Sequence, residues 1–175
     1  MDHIVVAIRP GQGPGVLSWA LRHARACGGA LEIIASGLEW PDPHGALLGV
    51  GLQLIAAGSD VPFAMRTVAV GMPVALGQSR VAADLVVLGS TSGRPDRAEA
   101  TALVSIASAS ACPVVIVPAD WRADAGDAAV VQTEALAASG VTDALIEQLC
   151  AATAPIRIVP TSFADRVLEG PSALG

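Results

Sequence analysis

The chain alternates short aliphatic runs with longer stretches of helical period. Ile4 to Ile8 is an unbroken run of aliphatic residues, the pattern of a strand covered on both faces in a parallel sheet. A glycine-rich turn, Pro10 to Gly15, follows it. Leu17, Leu21, Ala24 and Cys27 then recur at helical spacing while Arg22 and Arg25 take other faces. Gly28-Gly29 stops that helix, and Leu31 to Ala35 reads as a second strand. A strand, a helix and a strand in this order predict a βαβ unit with a right-handed crossover and parallel strands.

The alternation continues. Ser36 to His44, with Pro41 and Pro43, reads as a loop, and Ala46 to Ala57 as a helix despite its glycines. Phe63 to Val70 is a third strand ended by Gly71-Met72-Pro73, and Val74 to Ala82 a short helix. The strand Asp84 to Leu88 runs into GSTSG, Gly89 to Gly93. Asp96 to Ser110 is the next helix, with Leu103, Ile106 and Ala107 inward, and Pro113 to Val117 is the fifth strand. The pattern predicts an α/β class, a Rossmann-like doubly wound parallel sheet, over residues 1–118. Residues 119–128 are small and charged and read as a linker. Residues 129–161 then predict an extra C-terminal βαβ unit: a strand Ala129 to Thr133, a helical stripe of Val141, Leu145, Leu149 and Ala152, and a strand Ile156 to Val159. Its order, with a cysteine late in the helix, repeats that of Ile4 to Ala35, which marks it as a candidate truncated second copy. Residues 162–175 are expected to be a partly disordered tail.

Composition narrows the function classes. The longest apolar stretch, Gly45 to Gly58, is broken by glycine and shorter than the roughly 18 to 20 residues that span a bilayer, so no membrane partner is expected. The opening Met1-Asp2-His3 is not the basic start of a signal peptide, and a cytoplasmic location is expected. Sixteen acidic residues against ten arginines leave a net charge of -6, which argues against nucleic acid. Lysine, asparagine and tyrosine are absent, a usage expected of a GC-rich bacterial genome. Without lysine there is no Walker-type P-loop and no pyridoxal Schiff base. The three widely spaced cysteines, Cys27, Cys112 and Cys150, fit neither a disulfide framework nor a zinc site and read as buried free thiols.

Several motifs suggest chemistry and are weakened by their context. GSTSG between strand and helix has the outline of a nucleophile elbow at Thr91, but no histidine follows His44. Gly11, Gly13 and Gly15 form part of a dinucleotide fingerprint, yet Val16 stands where the third glycine belongs and Glu39 lies too far along to hold a ribose. The pairs Asp124 with Asp127 and Asp96 with Glu99 read as a solvated linker and a helix cap. Arg94 and Arg97, beside the GSTSG loop, are candidate anion clamps.

Three segments in order, HIVVAIRPG (His3 to Gly11), MRTVAVGMPVALGQSRVAADLVVLGSTSG (Met65 to Gly93) and ACPVVIVP (Ala111 to Pro118), resemble the universal stress protein family. That resemblance implies a five-stranded parallel sheet in order 3-2-1-4-5, dimerisation through the fifth strand and, in one branch, ATP at the strand C-termini with its phosphates in a motif G-x2-G-x9-G-[S/T]. This chain departs from the motif. Gly89 fits the first position, but the second glycine falls at Gly93 rather than at Ser92, and Ala100 and Thr101 stand on the last glycine and hydroxyl with the loop two residues short. Arg9 replaces the aspartate that the nucleotide-binding branch keeps at the end of strand one.

The candidate nucleotide-binding residues implied are Ala7, Ile8, Arg9, Ala35, Gly89, Ser90, Gly93 and Thr101. ATP is expected to bind weakly or not at all, because Asp96 and Glu99 have the spacing to take helix-start amides that would otherwise meet phosphate. No metal and no catalytic residue is expected. The reading is a regulatory or binding module rather than an enzyme. The alternatives are a non-nucleotide-binding structural or dimerisation module and an adenine-nucleotide α-hydrolase-like enzyme. A homodimer is expected through the fifth strand, whose aliphatic run invites edge pairing, or through the C-terminal unit.

Overall fold

The structure, a computed structural model, describes residues 2–78, 83–110, 112–124, 129–133 and 139–160. The expected tail 162–175, the expected continuation of the third helix over 79–82 and the second half of the expected linker (125–128) lie outside the described residues. The elements are β1 His3–Ile8, α1 Gly15–Cys27, β2 Ala30–Ser36, α2 Pro43–Ala56, β3 Phe63–Val68, α3 Met72–Gln78, β4 Leu85–Gly89, α4 Arg97–Ala109, β5 Val114–Val117, β6 Ala129–Thr133, α5 Ser139–Ala151 and β7 Ile156–Pro160. One sheet runs in the order β3-β2-β1-β4-β5-β7-β6. The first five strands are parallel, as the aliphatic runs require.

Sheet residues alternate between two apolar layers. Ile4, Val6 and Ile8 face α1 and α2, with Val16, Leu21, Leu47 and Leu54 packed over them. Val5 and Ala7 face α3, α4 and α5, where Met72, Leu103, Leu145 and Leu149 close the second layer. Helix ends follow local chemistry. Gly28, in the left-handed region at φ 65°, closes α1, and its N–H donates to the Ala24 carbonyl. Asp42 starts α2 by accepting from the Gly45 N–H at 2.9 Å, with Pro43 in the first turn. That cap draws α2 three residues further toward the N-terminus than its apolar pattern predicts.

The C-terminal unit joins the main sheet. β7 pairs antiparallel with the outer edge of β5, Val115 opposite Arg157, and β6 pairs parallel with β7. Its helix α5 buries Leu145, Ile146 and Leu149 in the second layer beside α4. This corrects one ground for the expected dimer: the fifth strand has no free edge for a second copy, because β7 of the same chain occupies it. The segment after β5 is also no free spacer over residues 119–124. Trp121 is 5% exposed and packs in the α1 layer, and the Arg22 guanidinium donates to the Ala123 carbonyl at 2.6 Å.

The cysteines are free, but only Cys112 and Cys150 are even partly buried. Cys27, the last residue of α1, is exposed. Burial pushes the Cys112 thiol above its ordinary value, and partial desolvation with the neighbouring Asp2 carboxylate pushes the exposed Cys27 thiol up, so neither is an activated thiolate.

Candidate functional site

Strand order reverses between β1 and β4, so their C-terminal ends open the crevice where open α/β sheets bind ligands. Two loops meet there, Pro10 to Pro14 after β1 and Ser90 to Asp96 after β4. The glycines let backbone approach backbone. The Gly13 N–H donates to the Ser90 carbonyl, and the Gly15 N–H to the Ala119 carbonyl, both at 3.4 Å. A Cβ on Gly13 would collide with the backbone of Ala119, and one on Gly15 would lie 2.7 Å from the Pro118 carbonyl oxygen. Gly11 is needed for its own φ of +76°. The partial dinucleotide fingerprint is thus a seat for residues 118–121, which turn back over the loops on leaving β5.

Ser90 is the centre of that seat. It is wholly buried; its hydroxyl donates to the Ser92 carbonyl at 2.5 Å and accepts from the Ala119 N–H at 3.1 Å. The Ala119 N–H also reaches the Ser92 carbonyl at 3.2 Å. At Gly93 an added Cβ would lie 2.5 Å from an Asp120 carboxylate oxygen, so this glycine makes room for a carboxylate of the chain.

Three more carboxylates take amides in and around the crevice. The Thr91 N–H donates to Glu99 Oε1 at 2.6 Å. The Glu99 N–H donates to Asp96 Oδ1 at 2.8 Å, as the capping spacing predicts. The Met72 N–H, at the start of α3, donates to Glu39 Oε1 at 3.3 Å. Glu99 does not turn back on its own helix start. It projects from the first turn of α4 onto the loop, and there meets Arg9, whose Nη1 lies 3.9 Å from the same Oε1. Both side chains are largely buried, and Arg9 Nη1 has no hydrogen-bond partner. The Arg9 N–H donates to Gln12 Oε1 at 3.0 Å, which fixes the turn into the glycine loop.

The residues expected from the sequence divide accordingly. Arg9, Gly89, Ser90 and Gly93 come together at the crevice. Gly89 ends β4 against Val16 and Gln12, its added Cβ lying 3.1 Å from Val16 Cβ. Ala7 and Ala35 are wholly buried within the sheet, in opposite layers. Ile8 is buried too, and its carbonyl accepts from the Trp40 indole at 3.3 Å. Thr101 is exposed one turn further along α4, where its hydroxyl donates to the Arg97 carbonyl at 2.6 Å. The proposed anion clamp is not assembled: Arg97 pairs with Asp143 of α5 at 2.8 Å, and Arg94 is exposed. Sequence reasoning did not single out Asp120 or the Glu99–Arg9 pairing. The charge reversal at Arg9 was the available signal, since a new cation in a crevice calls for a new anion beside it.

Two open clefts flank Arg9. One, of about 470 Å³, lies between it, Glu39, Pro73 and the α4 residues Ala102 and Ile106. The other, of about 360 Å³, lies between the glycine loop, Trp40 and one flank of α2. No histidine is brought to bear: His3 pairs with Glu32 at 3.2 Å, His23 stacks on Trp19, and His44 is exposed on α2. Among the described residues no cluster of His, Cys, Asp or Glu could hold a metal, and no helix is long and apolar enough to cross a membrane.

The five parallel strands in order 3-2-1-4-5, with the ligand crevice at the β1/β4 reversal, are the arrangement the sequence resemblance implied. The fold is a Rossmann-like α/β sheet. A functionally unknown protein, PA1789 from Pseudomonas aeruginosa PAO1, shares it at a TM-score of 0.50 and 15% identity over 97% of this chain. This chain spans 65% of that protein's length. A universal stress protein family structure from Burkholderia pseudomallei matches at a TM-score of 0.46 and 18% identity, over 67% of this chain and 96% of that one. No protein-family model and no curated protein sequence matches the chain.

Proposed function

We propose that this protein is a non-catalytic, universal stress protein-like regulatory module whose strand-end site is occupied by its own carboxylates, so that adenine nucleotide binds weakly or not at all. The observation that carries this reading is Glu99. Its carboxylate accepts from the Thr91 amide at 2.6 Å and faces the Arg9 guanidinium at 3.9 Å. A loop amide and a neighbouring cation are the groups that would receive a phosphate. A second negative charge brought to the same place meets repulsion in a poorly solvated crevice. Asp120 beside Gly93 and Glu39 on the Met72 amide act in the same sense.

The absence of catalysis rests on the same crevice. Thr91, the one residue in the position of an elbow nucleophile, has no histidine beside it among the described residues, and the neighbouring Glu99 carboxylate is engaged by the Thr91 amide and faces Arg9. Calorimetry with magnesium-ATP is the test. Millimolar or undetectable binding is expected, and a dissociation constant near 1 μM would overturn the reading. In Glu99→Ala the Thr91 amide and Arg9 are released, so ATP affinity is expected to rise at least tenfold. No change would mean that the shortened loop, and not the carboxylate, is the obstacle.

A further inference from the structure

β3 is the terminal strand on the side of the sheet away from the C-terminal unit. Beside it lies α2, which contains no Asp, Glu, Lys or Arg from Pro43 to Ala56. Leu48, Leu52 and Ile55 are 61%, 59% and 68% exposed and stand at i, i+4 and i+7, one stripe of the helix. The position of that stripe follows from the two clefts that α2 borders. Ala46, Gly49, Val50 and Gln53 face the cleft toward Gln12 and Trp40. His44, Leu47 and Leu48 face a groove of about 510 Å³ shared with Met65, Arg66 and Thr67 of β3. The apolar stripe therefore overhangs the open edge of β3.

We propose that a second copy of this chain docks here, pairing β3 antiparallel with its own β3 across a two-fold axis normal to the sheet. Such an axis keeps each face of the sheet on the same side. The two α2 helices then meet directly over the strand junction, so one operator satisfies both the open edge and the exposed stripe. A register centred on Met65 sets Arg66 opposite Ala64 of the second copy. That avoids a like-charge pair, and Arg66 is already held by Glu32 at 2.8 Å.

Charge selects a second copy over an unlike partner. Each copy carries -6, so two copies meet at least cost where neither presents a carboxylate, and α2 is such a surface. A partner attracted by the acidity of this protein would be steered elsewhere, because α2 carries no carboxylate and the nearest charge is the Arg66 cation. Leu48, Leu52, Ile55 and Met65 together expose on the order of 300 Å² of apolar area, the scale of a functional patch. The open edge of β3 adds to this area, toward the roughly 800 Å² per partner that a standard interface buries.

Sedimentation of the full chain at tens of micromolar is the test, with hydrogen exchange at the amides of 63–68. A dimer is expected, with those amides protected. Leu52→Glu is expected to weaken association at least 100-fold and to release the protection. Leu48→Glu, a second exposed position, should do the same, with circular dichroism reporting that both variants are folded. Val74→Glu, at an exposed apolar residue of α3 on the other face, should leave the dimer intact. A monomeric parent protein overturns the proposal. So does a dimer that survives both glutamate substitutions with fast exchange at 63–68, which would place the contact elsewhere, for example on the C-terminal unit.

Discussion

The two outer strands of the parallel body, the wholly aliphatic Val114–Val117 and the mixed Phe63–Val68, are finished in opposite ways. Beyond β4, the strand Val114–Val117 is fully buried, its edge taken by β7 and its second face covered by α4 and α5. Beyond β1, the strand Phe63–Val68 ends the sheet with Ala64, Met65 and Arg66 exposed, under a helix whose outer flank is leucine and isoleucine. The first edge is protected by the chain's own C-terminal unit. The second has no such cover among the described residues. A buried strand must have its backbone groups paired and its faces dry; the chain satisfies the rule internally on one side, and the proposed dimer would satisfy it on the other. The crevice between the halves follows the first strategy, since its amides are met by Glu99, Asp96 and Glu39 of the same chain.

The contrast can be broken most severely by removing residues 125–175. That strips β5 of its edge partner and exposes the α4 face that Leu145, Ile146 and Leu149 cover. The truncated chain is expected to aggregate on expression. A truncated chain with the full protein's thermal midpoint would show that the unit is dispensable. Next in size is Leu149→Ala, a truncation in the covered half, expected to cost about 2–5 kcal/mol in urea unfolding. Leu52→Ala, at an exposed position of the other half, is the matched control, and measured on the monomer at low concentration it should stay within about 0.5 kcal/mol of the parent. Equal costs for the two would erase the distinction between the halves.

Gly13→Ala tests the seam between the halves. Its Cβ has no room beside the Ala119 backbone, so a loss of about 1–3 kcal/mol is expected from overpacking. A loss of about 1–2 kcal/mol is expected for Glu99→Ala, from the freed Thr91 amide and the Arg9 guanidinium left without its anion. Glu99→Gln should recover part of that loss, because an amide oxygen can still accept from Thr91, but it should not restore the attraction to Arg9. Chemical denaturation of the pair separates the hydrogen bond from the charge.

Much of the fold is written locally. Runs such as Ile4 to Ile8 and Leu85 to Leu88 are aliphatic at every position because both of their faces are covered, and the stop at Gly28-Gly29 and the cap at Asp96 mark helix ends within a few residues. The same locality made the βαβ character of residues 129–160 readable. Of the crevice, the capping role of Asp96 was legible from spacing alone. The disturbance at Arg9 was visible as a charge reversal against the family pattern.

What the sequence by itself determined was therefore the kind and order of elements, the parallel five-stranded body, and the helix cap at Asp96. Tertiary structure alone decided that β7 lies antiparallel on β5 with β6 outside it, that Trp121 pins residues 118–121 over Gly13 and Gly15, that Arg97 turns to Asp143, and that Glu99 reaches Thr91 and Arg9. The physical reason is range. Hydrophobic period and capping chemistry act over a few residues, whereas strand direction, edge protection and the aim of a long charged side chain are set by groups tens of residues away, and no local pattern records which of them it will meet.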